Sequence, residues 1–222
     1  MGGDFFDFVT TPSGRLLFLL LDIAGRREEA FNIAAAAQEM LHDSGPRMFE
    51  DPEENESLVL TDLALELNRT IMEAAGGVRC APAFLGCYQP ATGMMWYLNA
   101  GHTAGLIRDS TGLASLEANG LPLGLFSHAT HDAQICVLQP QAALLLVSKG
   151  LVEARSGSEE YGLDRVRKVL GGPAFSGADD ICRMLLENND TFLQETKGSR
   201  LHLGLRSREQ NDRTAVAIMR SA

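Results

Sequence analysis

The feature that most constrains the fold is an apolar run at positions 16–21 (LLFLLL), which ends at Asp22. The run is much shorter than the roughly 18 apolar residues that cross a bilayer. Its length, and its stop at a polar residue, are typical of a β-strand that is buried on both faces. We therefore expect this segment to form a strand that other layers of structure cover on each side.

The segments around this strand alternate in a way that indicates the fold class. Apolar residues at helical spacing predict helices over 28–42, 57–75, 163–170 and 178–194, and short β runs divided by turns fill 78–152. A last strand is expected at 214–219. Strands grouped apart from helices predict an α+β fold with antiparallel sheets and the helices outside. The 222 residues, 45% of them hydrophobic, suit one compact domain.

Charge and cysteine content exclude several classes of function. The chain has 19 Lys and Arg against 29 Asp and Glu, a net charge of -10, which argues against a nucleic-acid partner. No basic-then-apolar leader opens the chain, so we expect neither secretion nor direct membrane contact. The four cysteines, at 80, 87, 136 and 182, lack metal-binding spacing. They are expected to be reduced core residues of a cytoplasmic protein.

Carboxylates stand next to three of the expected strands. Asp4 lies in the segment GGDFFD (2–7), where we expect a glycine turn, Asp22 ends the apolar run, and Asp212 lies in NDRT (211–214). Carboxylates on a rigid frame are suitable ligands for a hard divalent cation, and neighbouring glycines leave room for backbone carbonyls and water. For each single aspartate, a turn or capping role remains open as the simpler interpretation.

Six short motifs, in order along nearly the whole chain, resemble those of one family. They are GGDFFD (2–7), DIAG (22–25), NAGH (99–102), GLPLG (120–124), GLVEA (150–154) and NDRT (211–214). In this respect the chain is similar to the metal-dependent PPM protein serine/threonine phosphatases of the bacterial SpoIIE/RsbU type. The resemblance implies an αββα sandwich of two mostly antiparallel sheets flanked by helices. It also implies that residues 1–222 are a single domain, the C-terminal part of a longer sensor-linked protein, with the family's first strand expected before Gly2.

The resemblance also implies which residues surround the family's two Mg²⁺ or Mn²⁺ ions. The first acidic ligand falls on Asp4 and the bridging ligand on Asp22, with Gly25 near them. Asp7 is a neighbour of the site. Arg26 and Arg27, also neighbours, stand where the family has His-Gly.

Two expected ligand positions are degenerate, because Lys149 and Asn211 stand where the family has aspartate. A protonated lysine cannot ligate a metal, and nearby carboxylates favour its charged form. We therefore expect Lys149 to form an ion pair with Asp22 or Asp4, no intact catalytic residue and no bound metal. Two alternatives stay open: Lys149 could point to solvent and leave one metal site partly intact, or Asp212 could take the place of Asn211.

The resemblance implies a function in bacterial partner-switching regulation. The leading expectation is a degenerate phosphatase domain, or pseudophosphatase, that acts as a signalling and binding module. Its expected partner is a phosphoprotein of the anti-sigma-factor-antagonist type, and a homodimer is possible. The alternative is an active Mg²⁺/Mn²⁺-dependent phosphoserine protein phosphatase with an altered metal shell.

Overall fold

The structure, a computed structural model, describes residues 3–51, 55–195 and 212–221. The elements in chain order are β1 (Gly3–Thr10), β2 (Leu16–Ile23), α1 (Arg27–Asp43), α2 (Gly45–Met48), α3 (Glu56–Ala74), β3 (Ala83–Gln89), β4 (Met94–Ala100), β5 (Gly105–Asp109), β6 (Gly112–Leu116), β7 (Gln134–Val137), β8 (Ala143–Val147), α4 (Lys149–Val152), β9 (Arg155–Ser156), β10 (Glu159–Glu160), α5 (Gly162–Leu170), α6 (Ala178–Glu195) and β11 (Ala215–Met219). Within this described part of the chain, no helix has the length and apolarity needed to span a membrane.

Strand β2 is buried on both faces, as its apolar run predicts. Leu17, Leu19 and Leu21 pack into one buried cluster, and Phe18 and Leu20 pack into another. Successive side chains of a strand point to opposite faces, so one continuous apolar run supplies two cores.

The molecule has four layers, which confirms the αββα sandwich. One sheet has the order β1-β2-β3-β4-β7 and the other the order β11-β8-β5-β6, and all paired strands in both are antiparallel. Helices α1 and α3 cover the first sheet, and α5 and α6 cover the second. The core that contains Phe18 and Leu20 of β2 lies between the two sheets, where Phe18 and Phe84 meet Leu144 and Leu146.

Two local predictions differ from the structure near the carboxylates. The segment GGDFFD was expected as a glycine turn, but Gly3 already begins β1. Its alternating side chains explain the difference, because Phe5 and Val9 pack towards the helices while Phe6 and Phe8 face the other way. The second difference is at 149–152. These residues were expected among the short β runs, but they form the short helix α4.

Candidate functional site

The register of the first two strands brings two carboxylates together. Asp4 of β1 lies directly opposite Asp22 of β2. Side chains of directly opposed residues share one face of the sheet, with Cβ atoms about 4.5–5.5 Å apart. The pairing therefore places both carboxylates at the end of the sandwich where β2 stops.

Asp4 also reaches the second sheet. The hydroxyl groups of Ser148, which follows β8, and Thr214, which precedes β11, donate to its carboxylate. Its other oxygen, Oδ2, is buried without a hydrogen-bond partner. Burial and the charges of Asp22 and Asp212 outweigh the two hydroxyl groups and raise the pKa of Asp4 to about 6. A buried acceptor without a partner, in a cluster of negative charges, favours a cation nearby.

Lys149 lies beside Asp22 but does not pair with it. Its ammonium Nζ is 3.5 Å from Oε1 of Glu153, one helical turn further along, and its side chain is 62% exposed. In the described residues it forms no ion pair with Asp22 or Asp4, so the expected ion pair is wrong. The reason is local: α4 points the Lys149 side chain along its own axis towards Glu153, while the backbone N–H of Lys149 donates to Asp22.

The pKa of Asp22 reflects these neighbours. Burial raises it, the ammonium of Lys149 lowers it, the charge of Glu153 raises it, and the hydrogen bond from the backbone of Lys149 lowers it; the net result is a raised pKa. The field of the lysine therefore acts on Asp22 even though its head group is directed to solvent.

These side chains surround one open cavity of about 230 Å³, which we call the carboxylate cavity. Its lining residues include Asp4, Asp22, Lys149, Glu153 and Asp212. Oδ2 of Asp212 lies 3.7 Å from the point where a Cβ on Gly3 would stand. The structure therefore brings Asp212 to the site, whereas Asn211 lies outside the described residues. Four carboxylates and one ammonium give this cavity a clear negative charge.

The residues present fit one hard divalent cation better than two. Asp4 and Asp22 face each other, and the buried Oδ2 of Asp4 lacks a partner. Oxygen ligands of this kind are those that Mg²⁺ and Mn²⁺ prefer. Across the described ranges, however, no three acidic, histidine or cysteine side chains are already arranged as a metal-binding group. Lys149 also lines the cavity, and its side chain offers no oxygen ligand.

The loop after β2 is held by an arginine that the sequence did not single out. Arg79 forms an ion pair with Glu29 of α1, with Nη2 and Oε2 2.8 Å apart. A Cβ on Gly25, whose φ is +131°, would stand 2.9 Å from Nη1 of Arg79. Gly25 therefore lets the arginine pass close to the backbone. Arg26 precedes α1 and Arg27 opens it, and both are exposed.

Asp7 of the first motif and His102 of the third motif take structural roles. Asp7 points to α1, where its carboxylate accepts hydrogen bonds from Gln38 at 2.7 Å and from His42 at 3.0 Å. His102 is 5% exposed, and burial lowers its pKa to about 4. Its turn is fixed by the side chain of Asn99, which accepts the backbone N–H of His102 at 2.8 Å. Burial disfavours the charged form of this histidine, and its backbone hydrogen bond to Asn99 gives it a structural role in the turn of the NAGH motif.

Sequence reasoning missed Ser148, Glu153 and Arg79 as members of the site. Ser148 and Glu153 flank Lys149 in the stretch that carries the fifth motif, so the motif itself was the available signal. Arg79 lies in no motif, and only the three-dimensional approach of its loop to Gly25 reveals it.

The fold and the acidic strand ends define a PPM-type phosphatase domain. The family model of stage II sporulation protein E (SpoIIE) matches residues 12–220, and the chain belongs to this family. No curated protein matches the sequence at a significant level.

Solved structures show the same fold at low sequence identity. The RsbU and RsbW domains of a Mycobacterium tuberculosis protein share 23% identity with a TM-score of 0.75, and the match covers 100% of this chain and 57% of that one. The PP2C domain of SpoIIE from Bacillus subtilis, with a fragment of its regulatory domain, shares 15% identity with a TM-score of 0.72. That match covers 98% of this chain and 58% of the other. The SiaA PP2C domain of Pseudomonas aeruginosa shares 17% identity with a TM-score of 0.68, and the match covers 100% of this chain and 81% of the other. The chain thus spans less than three-fifths of the first two structures.

Family membership corrects one expectation. The sequence motifs led us to expect no bound metal, but PPM phosphatases normally depend on Mg²⁺ or Mn²⁺. The expectation weighed only Asp4, Asp22, Lys149 and Asn211. It kept Asp212 only as an alternative to Asn211 and left out Glu153, and the carboxylates of both residues line the same cavity.

Proposed function

We propose that the domain is a signalling module that binds a phosphorylated regulatory protein and hydrolyses its phosphoserine slowly. The proposal keeps the degenerate character that the motifs suggest, together with a remaining cation site at Asp4 and Asp22. The observation that carries it is the position of Lys149, which lines the carboxylate cavity and whose ammonium acts on Asp22.

The slow rate follows from the charge balance of the site. A bound Mg²⁺ or Mn²⁺ would acidify a water molecule and neutralise charge on the phosphoryl group. Asp4 and Asp22 would hold such a cation, with Asp212 beside them. A positive side chain at the neighbouring position opposes a second divalent cation through like-charge repulsion and supplies no oxygen ligand. The site would therefore work with an incomplete set of metals.

The partner is proposed from the relatives. One relative contains RsbU and RsbW domains, and others are SiaA and PppA of Pseudomonas aeruginosa, the latter described as a regulatory component of T6SS. We propose a small regulatory phosphoprotein of the anti-sigma-factor-antagonist type as the partner of this chain. The net charge of -10 is in keeping with a protein partner rather than a nucleic acid.

We further propose that residues 1–222 act as one domain of a longer, sensor-linked protein in the cytoplasm. The first two structural relatives are longer than the match, and one of them includes a fragment of a regulatory domain. All four cysteines are free, which suits a reducing compartment.

A second candidate is a working phosphatase with an altered metal shell. The specific observation in its favour is the carboxylate of Asp212, which lies beside Gly3 and lines the cavity with Asp4 and Asp22. In this alternative Asp212 replaces the ligand lost at Asn211, and the exposed Lys149 moves away when the second cation binds.

Hydrolysis of a generic aryl phosphate with Mn²⁺ distinguishes the two candidates. We expect Lys149→Asp to raise kcat/KM by at least about tenfold, because it restores a carboxylate where the family has one. Lys149→Ser is the matched control, since it removes the ammonium without adding a ligand, and it should give a much smaller gain. If the unchanged protein hydrolyses rapidly and Lys149→Asp brings no increase, the domain is an ordinary phosphatase and the proposal is wrong.

A further inference from the structure

A second groove opens directly beside the carboxylate cavity. It has a volume of about 340 Å³ and lies between β1 and α1; we call it the α1 groove. Gly3, Asp4, Ile23 and Asp212 line both the groove and the cavity. A chain that placed a phosphoryl group over the carboxylates would therefore have the groove next to it.

The helical wall of the groove is a stripe that overlaps the edge of the buried face of α1. It is formed by residues at helical spacing, which are Arg27, Ala30, Phe31, Ala34, Ala35 and Gln38. Ala30 also packs into the core, and Ala34 packs against it. Arg27, Phe31, Ala35 and Gln38 are exposed, so they form the part of the wall that the core does not use.

The stripe combines a large apolar side chain with small ones. Phe31 is 72% exposed, the most exposed of the large hydrophobic residues in the described ranges. Ala34 and Ala35 are short enough to leave the space between the helix and β1 open. Gln38, which also lines the groove, donates a hydrogen bond to Asp7 and adds a polar group at one end. An apolar recess with polar ends is a common form of binding pocket.

The size and place of the groove indicate its occupant. Its volume of about 340 Å³ lies at the small end of the range for pockets that hold compact ligands, about 300–1,000 Å³. The groove therefore has room for an apolar side chain. Because the groove is continuous with the carboxylate cavity, that side chain would belong to the same chain as the phosphoserine.

We infer that the α1 groove is a specificity subsite that takes an apolar side chain next to the phosphoserine of the partner protein. The inference rests on the proposed function and refines it, since it states which phosphoserine segments the domain prefers. Phe31 supplies the apolar wall, and the short side chain of Ala35 leaves space for the side chain of the partner.

Fluorescence anisotropy with two labelled phosphoserine peptides tests the inference, with Mn²⁺ present. The peptides are identical except that leucine flanks the phosphoserine in one and glycine in the other. We expect the leucine peptide to bind about tenfold more tightly, because burial of one leucine contributes that much. Phe31→Ser, which removes the wall, and Ala35→Leu, which fills the groove, should each reduce this preference to below about twofold.

The controls separate a local effect from unfolding. Leu58→Ala, at a 65% exposed site on α3 outside the groove, should keep the full preference. Circular dichroism should show the same helix content for all variants. Equal binding of the two peptides to the unchanged protein, or a preference that survives both groove variants, overturns the inference. Failure to bind either peptide overturns it as well.

The unphosphorylated versions of the peptides keep the two proposals apart. If phosphorylation does not strengthen binding, the proposed function fails. If phosphorylation strengthens binding but the flanking residue has no effect, only the α1 groove inference fails.

Discussion

At the scale of single residues, the two aspartates of the first motif have opposite electrostatic environments. Burial and two neighbouring carboxylates raise the pKa of Asp4 to about 6. Burial also acts on Asp7, but hydrogen bonds from Gln38, the backbone of Phe8 and His42 outweigh it and lower the pKa of Asp7. Ionised Asp4 therefore destabilises the metal-free fold above pH 6, whereas ionised Asp7 stabilises the fold, and this contribution is lost on acidification.

This contrast predicts opposite effects of two matched substitutions. In EDTA at pH 7.5, Asp4→Asn should raise Tm by about 2–4 °C, which corresponds to about 1 kcal/mol once solvent screening of this partly exposed group is allowed for. The gain should vanish below pH 4, where Asp4 is protonated in both states. Asp7→Asn should lower Tm at pH 7.5, because the amide is a weaker acceptor for Gln38 and His42. Calorimetry across pH checks both, and a lower Tm for Asp4→Asn at pH 7.5 contradicts the assignment.

Single residues of the site were only partly predictable. Asp4, Asp22 and Lys149 follow from the motifs, because each stands at a fixed place in a short segment. The pairing of Lys149 with Glu153 does not follow from the motifs, because it depends on the helix that begins at Lys149 and on the direction of the lysine side chain. The motifs left Asp212 as one of two alternatives, because only the path of the chain before β11 shows that it lines the cavity.

At the scale of elements, the loop of the GLPLG motif is fastened to α3 and to the chain before β3. The side chain of Asn68 accepts the backbone N–H of Gly124 at 2.7 Å and donates to the carbonyl oxygen of Phe126 at 3.0 Å. The backbone N–H of Arg79 donates to the carbonyl oxygen of Gly124 at 2.9 Å. Arg79 then contacts Gly25, so this loop supports the segment that follows Asp22.

Gly124 should therefore be far less replaceable than a glycine with the same backbone conformation elsewhere. Gly124 has φ +77°, and a Cβ there would lie 2.2 Å from the carbonyl oxygen of Arg79; Gly76 has φ +65° with open space around it. We expect Gly76→Ala to cost about 1 kcal/mol and Gly124→Ala to cost at least about 3 kcal/mol, since the second adds a backbone clash. Urea unfolding measures both. Equal costs would mean that the loop moves freely and does not support the site.

Most elements were predicted well where their periodicity was strong. The long helices α1, α3 and α6 and the buried strand β2 follow directly from apolar spacing. Considered locally, the segment 2–7 predicts a turn, because its two glycines and two aspartates outweigh its aromatic residues. Pairing with β2 along its whole length, which is a tertiary effect, makes it a strand.

At the scale of the whole molecule, the four-layer fold follows from the order of segments together with the six motifs. What the sequence could not give is how the two sheets meet. Asp4 of the first sheet receives hydrogen bonds from Ser148 and Thr214 of the second, so the site depends on both sheets. The α1 groove likewise arises only because β1 and α1 lie side by side.

We propose that Lys149 limits the carboxylate cavity to one divalent cation. Isothermal titration of the metal-free protein with Mn²⁺ tests it most directly. We predict one bound ion for the unchanged chain and two for Lys149→Asp. Two ions bound with micromolar affinity by the unchanged chain would contradict the account.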